Sequence, residues 1–146
     1  MTLTLDRQQP LHFIGVGGIG MSALAGILAA RGFVVSGSDP RSTAVVEGLR
    51  RQGVHVFPRQ EAATIAALCD DGASEALVVI SSAVPESNAE LTEARRRGLT
   101  VVHRSDILAA LINGQPSIAV AGSHGKTTTS TLVATLLAAT GQDPPP

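Results

Sequence analysis

Tryptophan and tyrosine do not occur in this sequence, and phenylalanine occurs only as Phe13, Phe33 and Phe57. Val, Leu, Ile and Ala must therefore fill the interior, which suits parallel strands buried under alanine-rich helices. Cysteine is nearly missing too. Cys69 stands alone, which excludes an intrachain disulfide, reads as a small core residue and fits a reducing compartment. Nor is there any excess of positive charge. Lys and Arg number 11 against 12 Asp and Glu, a net charge of -1, so there is no electrostatic reason to bind a polyanion, and nucleic acid is not an expected partner. The one dense basic run, Arg95-Arg96-Arg97, falls at the end of a predicted helix, where cations complement the helix dipole. The opening residues, MTLTLDRQQP, have no apolar signal-peptide core, and no apolar run approaches the ~18 residues of a membrane span. A cytoplasmic protein without a membrane partner is expected.

What the sequence does have is alternation. At 146 residues the chain can hold a real core, burying about 70% of its unfolded surface. From Leu11 onward short apolar runs alternate with helical patterns, as a doubly wound parallel sheet requires. Strands are expected at Leu11 to Val16, Val34 to Ser38, His55 to Phe57, Leu77 to Ser81, Thr100 to His103 and Ser117 to Ala121. Helices are expected at Met21 to Ala30, Thr43 to Gln52, Glu61 to Leu68, Asn88 to Arg97, Ser105 to Ile112 and Lys126 to Thr140. Gly32, Gly53 and Gly98 fall just past helix ends, where a left-handed residue closes the last turn. Asp70 to Glu75 reads as an acidic loop. Asn113-Gly114-Gln115-Pro116 reads as a linker, dividing the chain into domains 1–113 and 114–146. The closing Asp143-Pro144-Pro145-Pro146 cannot continue the helix before it.

The first chemistry-bearing motif runs out of a strand and into a helix. In His12-Phe13-Ile14-Gly15-Val16-Gly17-Gly18-Ile19-Gly20, glycines 15, 17 and 20 form G-x-G-x-x-G. The first glycine allows a tight turn, the second lets a diphosphate approach the backbone, and the third lets helix and strand pack closely. The helix N-terminus adds N–H groups and partial positive charge. Asp39 ends the second strand 19 residues after Gly20, close to the ~20-residue spacing of a ribose-binding acid. The same carboxyl edge of the sheet carries Ser81-Ser82 and His103-Arg104. The serines read equally as a turn or helix cap, and His103 as a satisfied strand-end residue. Arg104 offers a guanidinium to a phosphate.

The second motif follows the sixth apolar run. Gly122-Ser123-His124-Gly125-Lys126-Thr127-Thr128-Thr129 resembles a P-loop, whose amides would cradle phosphates, with Lys126 on the β and γ phosphates and the Thr127 hydroxyl on Mg2+. The general pattern wants a glycine at position 120, which here is Val120, so the loop belongs to a narrower class.

Together, HFIGVGGIGMSALA, SGSDP, VVISSAV with Asn88, VVHRSDILAAL and AVAGSHGKTTT resemble the Mur ligase family over roughly residues 11 to 143. The IGMSALA run and the histidine before Gly125 favour the member acting on UDP-N-acetylmuramate and L-alanine. The resemblance implies a Rossmann-like sheet of about five strands that binds the UDP-sugar. The first strand, P-loop and helix of an incomplete ATPase domain would follow. It further implies that Gly17, Gly18, Ile19 and Gly20 hold the diphosphate. Ser38 and Asp39 would lie near the uridine, and Ser81, Ser82 and Arg104 would face the nucleotide-sugar. Gly122, Ser123, His124, Gly125, Lys126, Thr127 and Thr128 would bind ATP, with Lys126 and Thr127 catalytic.

In such ligases ATP phosphorylates the substrate carboxylate, and the amine of L-alanine attacks the acyl phosphate. The acidic magnesium ligands would come later than residue 146, so these residues are not expected to ligate alone. A non-catalytic module, sensing NAD through Asp39 or holding UDP-sugar, is the rival reading. Leu132, Val133, Leu136 and Leu137 form an apolar stripe, expected to pack back on the first domain or pair between chains.

Overall fold

The computed structural model describes residues 3–70, 72, 75–113 and 116–141. Asp71, Ala73 and Ser74 of the expected acidic loop, Gly114 and Gln115 of the expected linker, and the terminal prolines lie outside the described residues. The chain divides into two compact units, Met1–Gly114 and Gln115–Pro146.

The first unit is a parallel sheet of five short strands: β1 (Leu11–Ile14), β2 (Val35–Ser38), β3 (His55–Phe57), β4 (Leu77–Ile80) and β5 (Thr100–His103). Their order is β3-β2-β1-β4-β5 and every pairing is parallel. The order reverses between β1 and β4, and open sheets of this kind bind ligands at the carboxyl ends beside that reversal. Ile14 lies opposite Ser38, and Ile80 opposite His103. Residues 15, 39, 81 and 104 consequently leave the sheet along one edge.

Five helices among the described residues cover the sheet: α1 (Ile19–Ala30), α2 (Ala44–Arg51), α3 (Ala62–Asp70), α4 (Ala89–Arg96) and α5 (Arg104–Ile112). Alternation along the strands sends residues to opposite faces. Leu11, Phe13, Leu77 and Val79 join α1, α2 and α5 residues such as Leu24, Leu28, Leu49 and Ile107 in one core. Ile14 and Val78 join Ile65 of α3 and Leu91 and Ala94 of α4 in the other. Each fully buried Leu, Ile or Phe contributes about 2 kcal/mol. Gly32, Gly53 and Gly98 adopt φ of 83°, 89° and 74°, the left-handed stops expected of them. At Gly37 the missing side chain matters: a Cβ would stand 2.6 Å from Val16 Cβ and 2.9 Å from the Phe13 carbonyl oxygen.

In the second unit, α6 (Lys126–Ala139) is the one described helix. The sixth expected strand, Ser117 to Ala121, forms neither helix nor strand. An apolar run becomes a strand only when a neighbour takes its N–H and C=O groups, and no strand pairs with it among the described residues. No described helix is long and apolar enough to cross a membrane.

Candidate functional site

The first glycine turn leaves β1 at Gly15, whose φ of 77° is the left-handed conformation that glycine adopts without penalty. Its geometry is fixed from β2. The Ser38 carbonyl accepts the amides of Gly15 at 2.8 Å and Val16 at 3.0 Å. Asp39 Oδ2 accepts the Gly17 amide at 3.0 Å, and the Gly15 carbonyl accepts the Gly18 amide at 3.1 Å. Gly17 must lack a side chain because a Cβ there would meet Asp39 Oδ2 at 2.6 Å and Val46 Cγ2 at 3.1 Å.

These bonds redistribute the donors. The amides of Gly17 and Gly18 are committed within the protein, whereas those of Ile19, Gly20 and Met21 have no acceptor among the described residues. They are the first-turn donors of α1, the group that an anion satisfies at a helix N-terminus. Gly18 is the N-cap and supplies no side-chain bond. Ile19, at the lip, is 93% exposed. Gly20 serves a different contact from the expected helix–strand approach: a Cβ there would stand 2.5 Å from Arg104 Nη1. The guanidinium thus lies over the first turn of α1, adding a cation beside the uncapped amides.

Asp39 is buried. Burial opposes its charge, but side-chain and backbone hydrogen bonds from Arg41, the Gly17 amide and the Arg41 charge together hold its carboxyl below the ordinary range. The backbone amide and Nε of Arg41 reach Oδ1 at 2.9 and 3.2 Å. Both carboxylate oxygens therefore already have donors.

The other expected positions divide between edge and interior. Ser38 is fully buried and its hydroxyl donates to Glu90 Oε2 at 2.5 Å, so only its backbone serves the turn. Ser81 stays at the edge, its hydroxyl accepting the Ala83 amide at 3.4 Å in a tight turn that also contains the exposed Ser82. His103 caps α5: its Nδ1 accepts the Ser105 amide at 3.3 Å and Asp106 Oδ2 accepts the His103 amide at 2.9 Å. Arg95, Arg96 and Arg97 at the end of α4 pair with Glu86 and Glu93. Hydrogen bonds from Arg96 and Arg97 draw the Glu93 carboxyl down to about 2.

Arg41, Gln60 and Glu90 were not singled out from the sequence. Gln60 lies beside Gly15, with Nε2 3.8 Å from where a Cβ would be, and its Oε1 accepts Asn88 Nδ2 at 2.9 Å. A faint signal existed for Glu90: polar His12, Ser36 and Ser38 interrupt apolar strands on one face, and such a row implies a buried partner.

In the second unit, Gly122 and Gly125 adopt φ of 150° and 76°. Gly125 is the N-cap of α6 and again offers no side-chain bond. Among the described residues, its chain neighbours apart, no heavy atom lies within 4 Å of where a Gly125 Cβ would be. Lys126 folds back so that Nζ donates to the Gly122 carbonyl at 2.5 Å. Ser123 and His124 are exposed in the turn between them, and Thr127 and Thr128 are exposed in the first turn of α6. No cluster of metal-binding side chains occurs among the described residues.

Helix caps separate these two turns from α2, α4 and α5. Thr43, Asn88 and His103 place a side-chain acceptor on the first amides of α2, α4 and α5. Before α1 and α6 a glycine leaves those amides open.

Residues 10–116 match the model of the Mur ligase family, catalytic domain. The UDP-N-acetylmuramate--L-alanine ligase of Prochlorococcus marinus (strain MIT 9303) is 66% identical over 99% of this chain and 30% of its own length. Among solved structures, the UDP-N-acetylmuramate:L-alanyl-gamma-D-glutamyl-meso-diaminopimelate ligase of Neisseria meningitides is 29% identical, with a TM-score of 0.80 over 91% of this chain and 40% of its own. The UDP-N-acetylmuramate-alanine ligase of Thermotoga maritima is 30% identical, with a TM-score of 0.74 over 88% and 29%. The chain spans about 30% of the length of the curated relatives it matches.

Proposed function

The chain belongs to the Mur ligase family, and on that premise we propose that it is the amino-terminal part of a cytoplasmic ligase joining L-alanine to UDP-N-acetylmuramate at the expense of ATP. Residues 1–113 form the UDP-sugar domain and residues 114–146 begin the ATP-binding domain. The observation that carries this reading is the pair of helices, α1 and α6, opened by glycine caps without side-chain acceptors. A Ser, Thr or Asn cap would occupy the place an anion needs.

At the first turn the amides of Ile19 to Met21, with Arg104 over Gly20, receive the diphosphate. Gly17 and Gly18 shape the turn, Asp39 lies beside the uridine, and Ser81 and Ser82 face the sugar side of the edge. Ser38 acts through its backbone. At the second turn the open amides and uncrowded Gly125 suit a triphosphate. Lys126 exchanges the Gly122 carbonyl for phosphate oxygens, and the Thr127 hydroxyl is the magnesium ligand this chain supplies. Magnesium ATP, when bound, supplies the phosphoryl group that activates the substrate carboxylate, and the residues here position it and neutralise charge. One hydroxyl makes an incomplete metal site, so these 146 residues bind without ligating.

Calorimetric titration of the chain with UDP-N-acetylmuramate and, separately, with NAD tests the first turn. Heat with the UDP-sugar and none with NAD is expected; the reverse would move the chain to the NAD-sensing class. Self-association through α6 belongs to the same reading, since Leu132 and Leu136 are 59% and 66% exposed. A monomer in sedimentation equilibrium at high concentration would remove that part.

A further inference from the structure

Beneath the first turn lies a polar cluster with no role in the function described so far. His12 of β1, Ser36 and Ser38 of β2 and Glu90 of α4 are all buried, with His12, Ser38 and Glu90 fully so. His12 Nδ1 and Ser36 Oγ lie 2.9 Å apart. The Ser38 hydroxyl donates to Glu90 Oε2 at 2.5 Å, and Glu90 Oε1 faces His12 Nε2 at 3.4 Å. Those last two atoms are the buried side-chain atoms without a hydrogen-bond partner among the described residues, and each points at the other. Phe57 closes the cluster edge-on to the imidazole, with ring centroids 6.1 Å apart.

A carboxylate buried in a sheet–helix interface is costly unless paired and hydrogen-bonded. Packing alone would favour an apolar residue at this position of α4, beside Leu91 and Ala94 of the same core. What Glu90 accomplishes instead is to hold Ser38, and Ser38 is the residue whose carbonyl takes the Gly15 and Val16 amides. The next residue, Asp39, takes the amide of Gly17. Three consecutive amides of the turn thus hang from Ser38 at the end of β2 and from Asp39 just beyond it, and Ser38 is clamped from behind by Glu90. Asn88, two residues earlier, caps α4 and reaches Gln60 beside Gly15. The start of α4 therefore braces the turn at two points.

We propose that Glu90 is a positioning residue for nucleotide binding: through the Ser38 hydroxyl it fixes the end of β2, and through the Ser38 carbonyl it sets the glycine turn that presents α1 to the diphosphate. The inference rests on the reading of that turn as the diphosphate site. It assigns Glu90 no contact with the nucleotide.

The test uses the full chain, uridine diphosphate as the calorimetric probe, and amide hydrogen exchange at Gly15 and Val16. Ser38→Ala removes the clamped hydroxyl with little change in volume, and Glu90→Leu removes the clamp. Both are expected to weaken UDP binding about tenfold, the loss typical of one hydrogen bond to a charged group, and to speed exchange at both amides. Glu90→Gln keeps an oxygen for Ser38 and turns its amide to His12 Nε2, so it is expected to bind UDP within about twofold of the unaltered chain. Thr64→Ala, which removes a buried hydroxyl bonded to the Arg59 carbonyl, controls for loss of stability and should leave UDP affinity unchanged. If Glu90→Leu fails to fold, Ser38→Ala and Glu90→Gln decide. Unchanged affinity and exchange in Ser38→Ala, with the unaltered chain binding UDP, would overturn the positioning role alone. Absence of UDP binding by the unaltered chain would overturn the site and this role together.

Discussion

The two glycine turns present the same face to solvent, an open helix N-terminus, but are supported very differently. At the first, every amide from Gly15 to Gly18 has an acceptor, supplied by Ser38, Asp39 and the Gly15 carbonyl. Arg104 fills the space over Gly20. At the second, the side-chain bond is that of Lys126 to Gly122, it is exposed, and α6 behind it has no buried residue. A glycine turn can thus be written locally in sequence, but the acceptors that hold it come from the end of a neighbouring strand.

The largest test of this contrast is Gly37→Ala. The new methyl would press on Val16 and the Phe13 carbonyl, neither able to retreat, so global stability should fall by about 2–3 kcal/mol in thermal unfolding. A loss below about 0.5 kcal/mol would show that β2 and the turn are not tightly joined. Next comes a pair. Gly17→Ala should cost about 1–3 kcal/mol through collision with Asp39. Gly125→Ala meets no atom and should cost about 1 kcal/mol of left-handed strain, seen as reduced helicity of α6 with the main transition unmoved. Equal effects on the main transition would erase the distinction.

Acid supplies a smaller, graded effect. The folded carboxyl of Asp39 titrates below its ordinary value, so its contribution is complete above about pH 4 and disappears as pH falls through the lower folded value. The Gly17 amide resonance should shift through that lower window while those of Gly122 and Gly125, which have no carboxylate partner among the described residues, stay still. Simultaneous movement would contradict the assignment. Smallest of all, Lys126→Ala should change stability by less than about 0.5 kcal/mol, measured by denaturant unfolding, because its bond is solvent-exposed.

Much of the sheet was legible because it is encoded locally. His55 to Phe57 and Thr100 to His103 are strands to the residue, and Gly32, Gly53 and Gly98 end helices as their sequence context demands. Ser117 to Ala121 was misread because pairing is not a property of the segment itself. Of the site, the glycine turns were visible in sequence, but the division of labour among their amides was not. Gly17 and Gly20 look equivalent in the motif, whereas one avoids Asp39 and the other makes room for Arg104, contacts from residues 22 and 84 positions away. Nothing in the local pattern of α4 marks Glu90 as buried, since its burial arises from three polar positions on two strands.

The amides hung from Ser38 and Asp39 bear on kinetics. On the proposed reading of the first turn as a diphosphate site, a crevice already shaped needs no rearrangement by its visitor, and capture should proceed in one bimolecular phase whose speed follows encounter frequency and ionic strength. Selectivity would then reside in how long the guest stays.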